Sequence, residues 1–205
     1  MNDQSALLII DAQYGFMPGG GLPVAGADAI VPVINRVAPR FVNAVLTQDW
    51  HPANHVSFAA NHPGHQPFDT IALPYGTQVL WPTHCVQGTR DAALHDRLNV
   101  PQAQLVIRKG FHRDVDSYSA FVEADRQTST GLAAYLRARS IDSLYLCGLA
   151  TDYCVAWSAL DARAAGFKVT VIDDACRAID RNGSLAKAWR EMSEVGVRRI
   201  VSASF

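Results

Sequence analysis

Four short apolar runs end on residues that do chemistry. LLIID closes on Asp11, AVLTQDWH on Asp49, LVIRKG on Lys109, and YLCGLATDYC runs through Gly148 into Cys154. In open parallel sheets, ligands bind beyond the carboxyl ends of the strands, so two carboxylates, a cation and a thiol are expected on one rim. Cys154 is placed where a helix should begin, with Thr151 as its N-cap and Asp152 in its first turn. Unpaired N–H groups and the positive end of the dipole then favour thiolate and make the sulfur a nucleophile. Asp11 suits the general base that takes the thiol proton and returns it to a departing amine. Lys109, one of only three lysines, would sit between the two anions, lowering the thiol pKa and orienting Asp11.

A second constellation points to a metal. Five of the seven histidines fall between His51 and His84. Side chains alternate along an extended segment, so Asp49 and His51 would project to one side. His84 in WPTHC supplies the third ligand, giving one carboxylate and two imidazoles with positions left open for water and substrate. His55 could join directly or through water. His62, His65, His95 and His112 carry no assigned role. Phe16, Trp81 and Tyr118 could wall a flat ring. Taken singly, each of these residues has a plainer reading as core packing, cap or surface group. Cys85, Cys147 and Cys176 keep the reading of buried structural thiols.

The elements that must position these groups are strands near Ala6 to Ile10, Ala44 to Thr47, Leu105 to Ile107, Leu144 to Cys147, Val169 to Ile172 and Arg199 to Val201. They are continuous apolar runs, as expected of strands covered on both faces. Helical period appears over Ala29 to Val37, Gly131 to Arg139, Asp152 to Ala165 and Ser184 to Val195. The alternation implies an α/β fold, a three-layer α/β/α sandwich with a mostly parallel central sheet of about six strands. From Trp50 to about Arg90 the chain shows no strong periodicity, which in a compact domain marks a functional loop. Gly19 to Gly21 lack the Lys-Ser/Thr of a phosphate-binding loop and are expected to form a flexible loop; no GxGxxG is present.

The 205 residues, undivided by linker or low-complexity tract, imply one domain over 1–205. A formal charge of -1 offers no field for nucleic acid or anionic membrane. The N-terminus lacks a basic segment before its apolar run, no membrane-length apolar stretch appears, and the four cysteines show no CxxC spacing, so a reducing cytoplasm is expected. The sequence leaves homo-oligomer formation open.

LLIIDAQYGF with GGGLPV, TQDWHPANHVSFAANH, LWPTHCVQGT, IRKGFHRDVDSYSAF and LCGLATDYCV together resemble the isochorismatase-like cysteine hydrolases over nearly the whole chain, and within them the branch that hydrolyses nicotinamide. The resemblance implies Asp11, Lys109 and Cys154 as catalytic trio and Asp49, His51 and His84 as ligands of one divalent ion, zinc foremost, with iron or manganese as alternatives. It also implies a cis Leu149-Ala150 bond, an oxyanion site at the N–H groups of Ala150 and Cys154, and ring contacts from Phe16, Trp81, Tyr118, Leu149 and Ala150. The activity implied is conversion of nicotinamide to nicotinate and ammonia through a Cys154 thioester in NAD salvage, with pyrazinamide as a further substrate. A related amidase acting on N-carbamoyl or ureido compounds is the alternative, and a non-catalytic metal-binding domain on the same scaffold is another.

Overall fold

The computed structural model describes residues 3–205. Six strands form the main sheet: β1 (Ser5–Ile10), β2 (Asn43–Asp49), β5 (Ala103–Lys109), β6 (Ser143–Leu149), β7 (Lys168–Arg177) and β8 (Arg198–Ile200). They lie in the order β5-β2-β1-β6-β7-β8, and every pairing is parallel. A hairpin of β3 (Thr70–Leu73) and β4 (Gly76–Val79) stands apart. The helices are α1 (Ile30–Val37), α2 (Leu132–Ala138), α3 (Ala156–Ala164) and α4 (Ser184–Glu194). From β1 the chain crosses one way to β2, and from β6 it crosses the other way to β7 and β8. Right-handed crossovers therefore put α1 on one face and α3 and α4 on the other. Among the described residues no helix is long and apolar enough to cross a membrane.

β1 and β2 are buried along their whole length, so their continuous apolar runs reflect cover on both faces. The edge strands differ from expectation. β5 alternates between exposed and buried positions, and β8 is largely exposed, because an edge strand has a single neighbour and only part of it lies under a helix. α1 buries Ile30, Val31, Ile34 and Val37, the i, i+4, i+7 spacing of an amphipathic helix. α3 instead packs through Ala156, Ala159 and Ala162, small residues that let it lie close to its neighbours.

The long stretch after β2 is ordered by local bridges. His51 pairs with Val86 and Phe58 with Trp81. Asp91 accepts the N–H groups of Cys85 at 2.6 Å and Gly21 at 3.0 Å, which fastens this stretch to the glycine run. The run is accordingly a packed turn rather than the flexible loop expected: Gly20 N–H also donates to the Met17 carbonyl at 2.9 Å.

The order reverses between β1 and β6, which lead away in opposite directions, and a crevice opens there at the carboxyl ends. Their close approach depends on Gly148, whose φ is +120° and where an added Cβ would meet the Ile10 carbonyl oxygen in β1. Gly148→Ala should therefore cost about 2 to 4 kcal/mol of stability, from overpacking and backbone conformation together. Urea unfolding checks this, and a loss under about 0.5 kcal/mol, the usual surface scatter, would show that the two strands can separate freely.

Candidate active site

Asp49 and Lys109 are register partners at the last positions of β2 and β5, so their side chains leave the sheet on the same face. Lys109 is fully buried, and its ammonium pairs with Asp49 Oδ1, with Asp11 Oδ2 at 2.8 Å, and with Cys154 Sγ at 3.3 Å. The lysine thus bridges the thiol to two carboxylates, one more anion than the sequence reading assigned to it. Burial opposes its charge, but Asp11 and Asp49 outweigh that and hold it well above the usual lysine value.

Asp11 has a φ of 47° and is clamped by Thr47, whose hydroxyl accepts the Asp11 N–H at 3.1 Å and donates to Oδ1 at 2.5 Å. Oδ2 takes the Lys109 ammonium at 2.8 Å as its one partner among the described residues, which leaves a lone pair for a further proton. Burial raises the Asp11 pKa, with Lys109 pulling the other way. Gln13 braces the neighbouring strand: its amide donates to the Asp49 carbonyl at 2.9 Å and accepts the Asp49 N–H at 2.8 Å.

The chain passes from β6 through a cis Leu149-Ala150 bond into a widened helical turn, Thr151–Val155, that carries Cys154 into α3. Thr151 is inside this turn and is not its cap; Ala150 occupies the N-cap and makes no side-chain cap bond. The N–H groups of Tyr153 and Val155 both reach the Ala150 carbonyl at 3.1 Å, either side of Cys154. Asp152 lies in the first turn as expected, and its carboxylate accepts Ile179 N–H at 3.0 Å and Asp180 N–H at 2.8 Å, tying the segment after β7 to the turn. Two influences oppose each other at the thiol. Burial pushes its pKa well above the ordinary value, and the opposing pull of Lys109 only partly offsets this. Burial thus works against the thiolate that the helix start and Lys109 favour.

The second constellation also assembles. Asp49 Oδ2 is 3.6 Å from His51 Nε2 and 3.8 Å from His84 Nε2. His51 Nδ1 bonds to the Gly110 carbonyl and His84 Nδ1 to the Pro82 carbonyl, each at 2.8 Å. A ring that donates from Nδ1 to a carbonyl keeps its Nε2 lone pair for a metal, so the chemistry of the donor set fits a divalent ion. Gly110, at φ +63°, lets the backbone reach His51, since a Cβ there would lie 2.6 Å from Nδ1. His55 is engaged by Ser57 Oγ at 2.7 Å and the Val115 carbonyl at 3.3 Å, so neither of its nitrogens is left for an ion.

Cys154 and the Asp49, His51 and His84 group line one cavity, together with Phe16, Trp81, Tyr118 and Ala150. Trp81 Nε1 donates to Tyr118 OH at 2.9 Å. Leu149 packs in the core and does not reach the wall, although the resemblance placed it at the substrate. Four lining residues escaped the sequence reading: Leu22, Asp116, Tyr153 and Ile179. Tyr153 stands edge-on to Trp81 at 4.8 Å and adjoins Cys154, the one signal that could have found it. Cys85, Cys147 and Cys176 are free and buried.

A thiol, a carboxylate and an ammonium in one crevice of a doubly wound parallel sheet make this fold that of a cysteine hydrolase. The chain belongs to the isochorismatase family, whose isochorismatase domain matches residues 5–203. It is 65% identical over 197 residues to a nicotinamidase of Acinetobacter baylyi, covering 96% of this chain and 92% of the relative. A solved nicotinamidase and pyrazinamidase of Acinetobacter baumanii superposes with a TM-score of 0.99 at 62% identity, covering 100% of this chain and 99% of the other. A pyrazinamidase of Pyrococcus horikoshii solved in complex with zinc gives a TM-score of 0.80 at 34% identity, covering 97% and 99%.

Replacing Lys109 by Met leaves two buried carboxylates facing each other without a cation. Lys109→Met should lose about 3 to 5 kcal/mol of stability in urea unfolding, as for a buried pair broken on one side. A change below about 1 kcal/mol, the surface range, would show that the ammonium does not hold the cluster together.

Proposed function

We propose that the chain is an amidohydrolase that converts nicotinamide to nicotinate and ammonia, with Cys154 as nucleophile and Asp11 as proton carrier. The observation that carries this reading is the single ammonium of Lys109 touching Cys154 Sγ and Asp11 Oδ2 beside the Asp49, His51 and His84 cage, with Cys154 and the cage lining one aromatic-walled cavity. The relatives' activity supports the substrate.

As the Cys154 sulfur attacks the carboxamide carbon, its proton passes to Asp11 Oδ2, and Lys109 balances the charge on both groups. The carbonyl oxygen of the tetrahedral adduct lies toward the N–H groups of Ala150 and Cys154, each such donor being worth about 3 kcal/mol. Collapse breaks the carbon–nitrogen bond, and Asp11 gives its proton to the departing ammonia. Water then attacks the thioester while Asp11 takes its proton, and the sulfur leaves to be reprotonated, releasing nicotinate.

A divalent ion, proposed to be zinc, would be held by Asp49, His51 and His84, and when bound supplies a Lewis-acidic centre for the pyridine nitrogen. Phe16, Trp81 and Tyr118 flank the ring between that end of the cavity and the thiol. This gives the cage a purpose that an N-carbamoyl or ureido substrate, lacking the ring nitrogen, would not use. Pyrazinamide has the same ring-nitrogen and carboxamide arrangement and should also be hydrolysed.

Ammonia release from nicotinamide checks the assignment. Cys154→Ala should abolish turnover, and chelator-treated protein should bind substrate more weakly and recover when zinc is restored. Wild-type rates in Cys154→Ala would remove the thiol from the mechanism; undiminished substrate binding after chelation would remove the ion from the binding site.

A further inference from the structure

The cavity holds one buried carboxylate that the steps above do not use. Asp116 is 2% exposed and lines the wall with Asp49, His51 and His84. It is held from two sides: Ser117 N–H donates to Oδ1 at 2.8 Å and the Gln78 amide to Oδ2 at 2.7 Å. The second N–H of Gln78 donates to the Val79 carbonyl at 2.7 Å, which anchors the amide beside Tyr118 OH at 3.3 Å. Each carboxylate oxygen can accept a further hydrogen bond.

An Asp116 oxygen lies within 4.8 Å of ring nitrogens of both His51 and His55. Those histidines spend their other hydrogen bonds elsewhere, His51 on Gly110 and His55 on Ser57 and Val115. A separate ion between the three would have only Asp116 as a free ligand, so a second metal site is disfavoured. A carboxylate this close to a His51 ring nitrogen, on the same wall as Asp49 and His84, is within reach of one water on an ion held there, since a ligand atom sits about 2.1 Å from zinc and a hydrogen bond spans about 2.7 Å. The charge balance points the same way. Asp49, the single anionic ligand, already gives one oxygen to Lys109.

Resting on the reading of Asp49, His51 and His84 as metal ligands, we infer that Asp116 is a positioning residue for the ion. It accepts hydrogen bonds from water on the open coordination positions, and it supplies the negative charge that Lys109 withdraws from Asp49. Gln78 and the Ser117 N–H set its angle.

The test is zinc affinity by competition with a chromogenic chelator, on metal-free wild type, Asp116→Asn and Gln78→Leu, with thermal melting of each metal-free protein. Outer ligands of this kind typically change affinity by about 10-fold to 100-fold. Asp116→Asn should fall in that range, and Gln78→Leu should weaken binding less, in the same direction, while the metal-free melting temperatures stay close to wild type. Wild-type zinc affinity in Asp116→Asn overturns the inference while leaving the three-ligand site intact. If Asp116→Asn fails to fold, undiminished affinity in Gln78→Leu overturns it. Should wild type itself bind no zinc, the ligand reading fails first and takes the inference with it.

Discussion

The buried ammonium of Lys109 is the constraint around which the site is organised. A lysine in a dry interior is costly unless anions and other acceptors surround it, and here the Asp11 and Asp49 carboxylates and the Cys154 sulfur do so. Each satisfies the lysine, and each is positioned by it. Asp49 belongs to both centres, with one oxygen toward Lys109 and the other toward the two histidines. The Cys154 thiol and the Asp49, His51 and His84 group are consequently adjoining parts of one polar cluster.

The rigidity of the cluster comes from groups that do no chemistry. Thr47 sets the Asp11 carboxylate, Gln13 fixes the Asp49 backbone, and the Gly110 and Pro82 carbonyls choose which nitrogen of each histidine faces Asp49. Asp152 does the same for the wall by gathering the N–H groups after β7. Such supports hold reacting groups in place before substrate arrives, which is where much of an enzyme's advantage lies.

Much of this was legible in the sequence because parallel strands covered on both faces read as continuous apolar runs. The β1, β2 and β6 runs point directly to Asp11, Asp49 and the Cys154 turn. The edge strands were less well described, since exposure on one side breaks the continuous pattern, and the β3 and β4 hairpin was missed because its short strands are half exposed. Asp116 and Ile179 left no sequence signal at all. Their roles in the wall depend on where loops return, and only contacts such as Gln78 to Asp116 and Asp152 to Ile179 decide that. The environment of Cys154 was legible only in part: a helix start is visible in a sequence, whereas the depth at which its sulfur is buried is not.

The central place of β1 has a consequence for assembly. Its partners, β2 and β6, begin 38 and 138 positions further along the chain, so pairing must close long loops before it is rewarded. A partly collapsed molecule that has buried β5 without β1 would carry a cation lacking Asp11, one of its two carboxylate partners. Arrangements lacking β1 are thereby penalised, and the buried ion cluster favours the finished topology over its fragments.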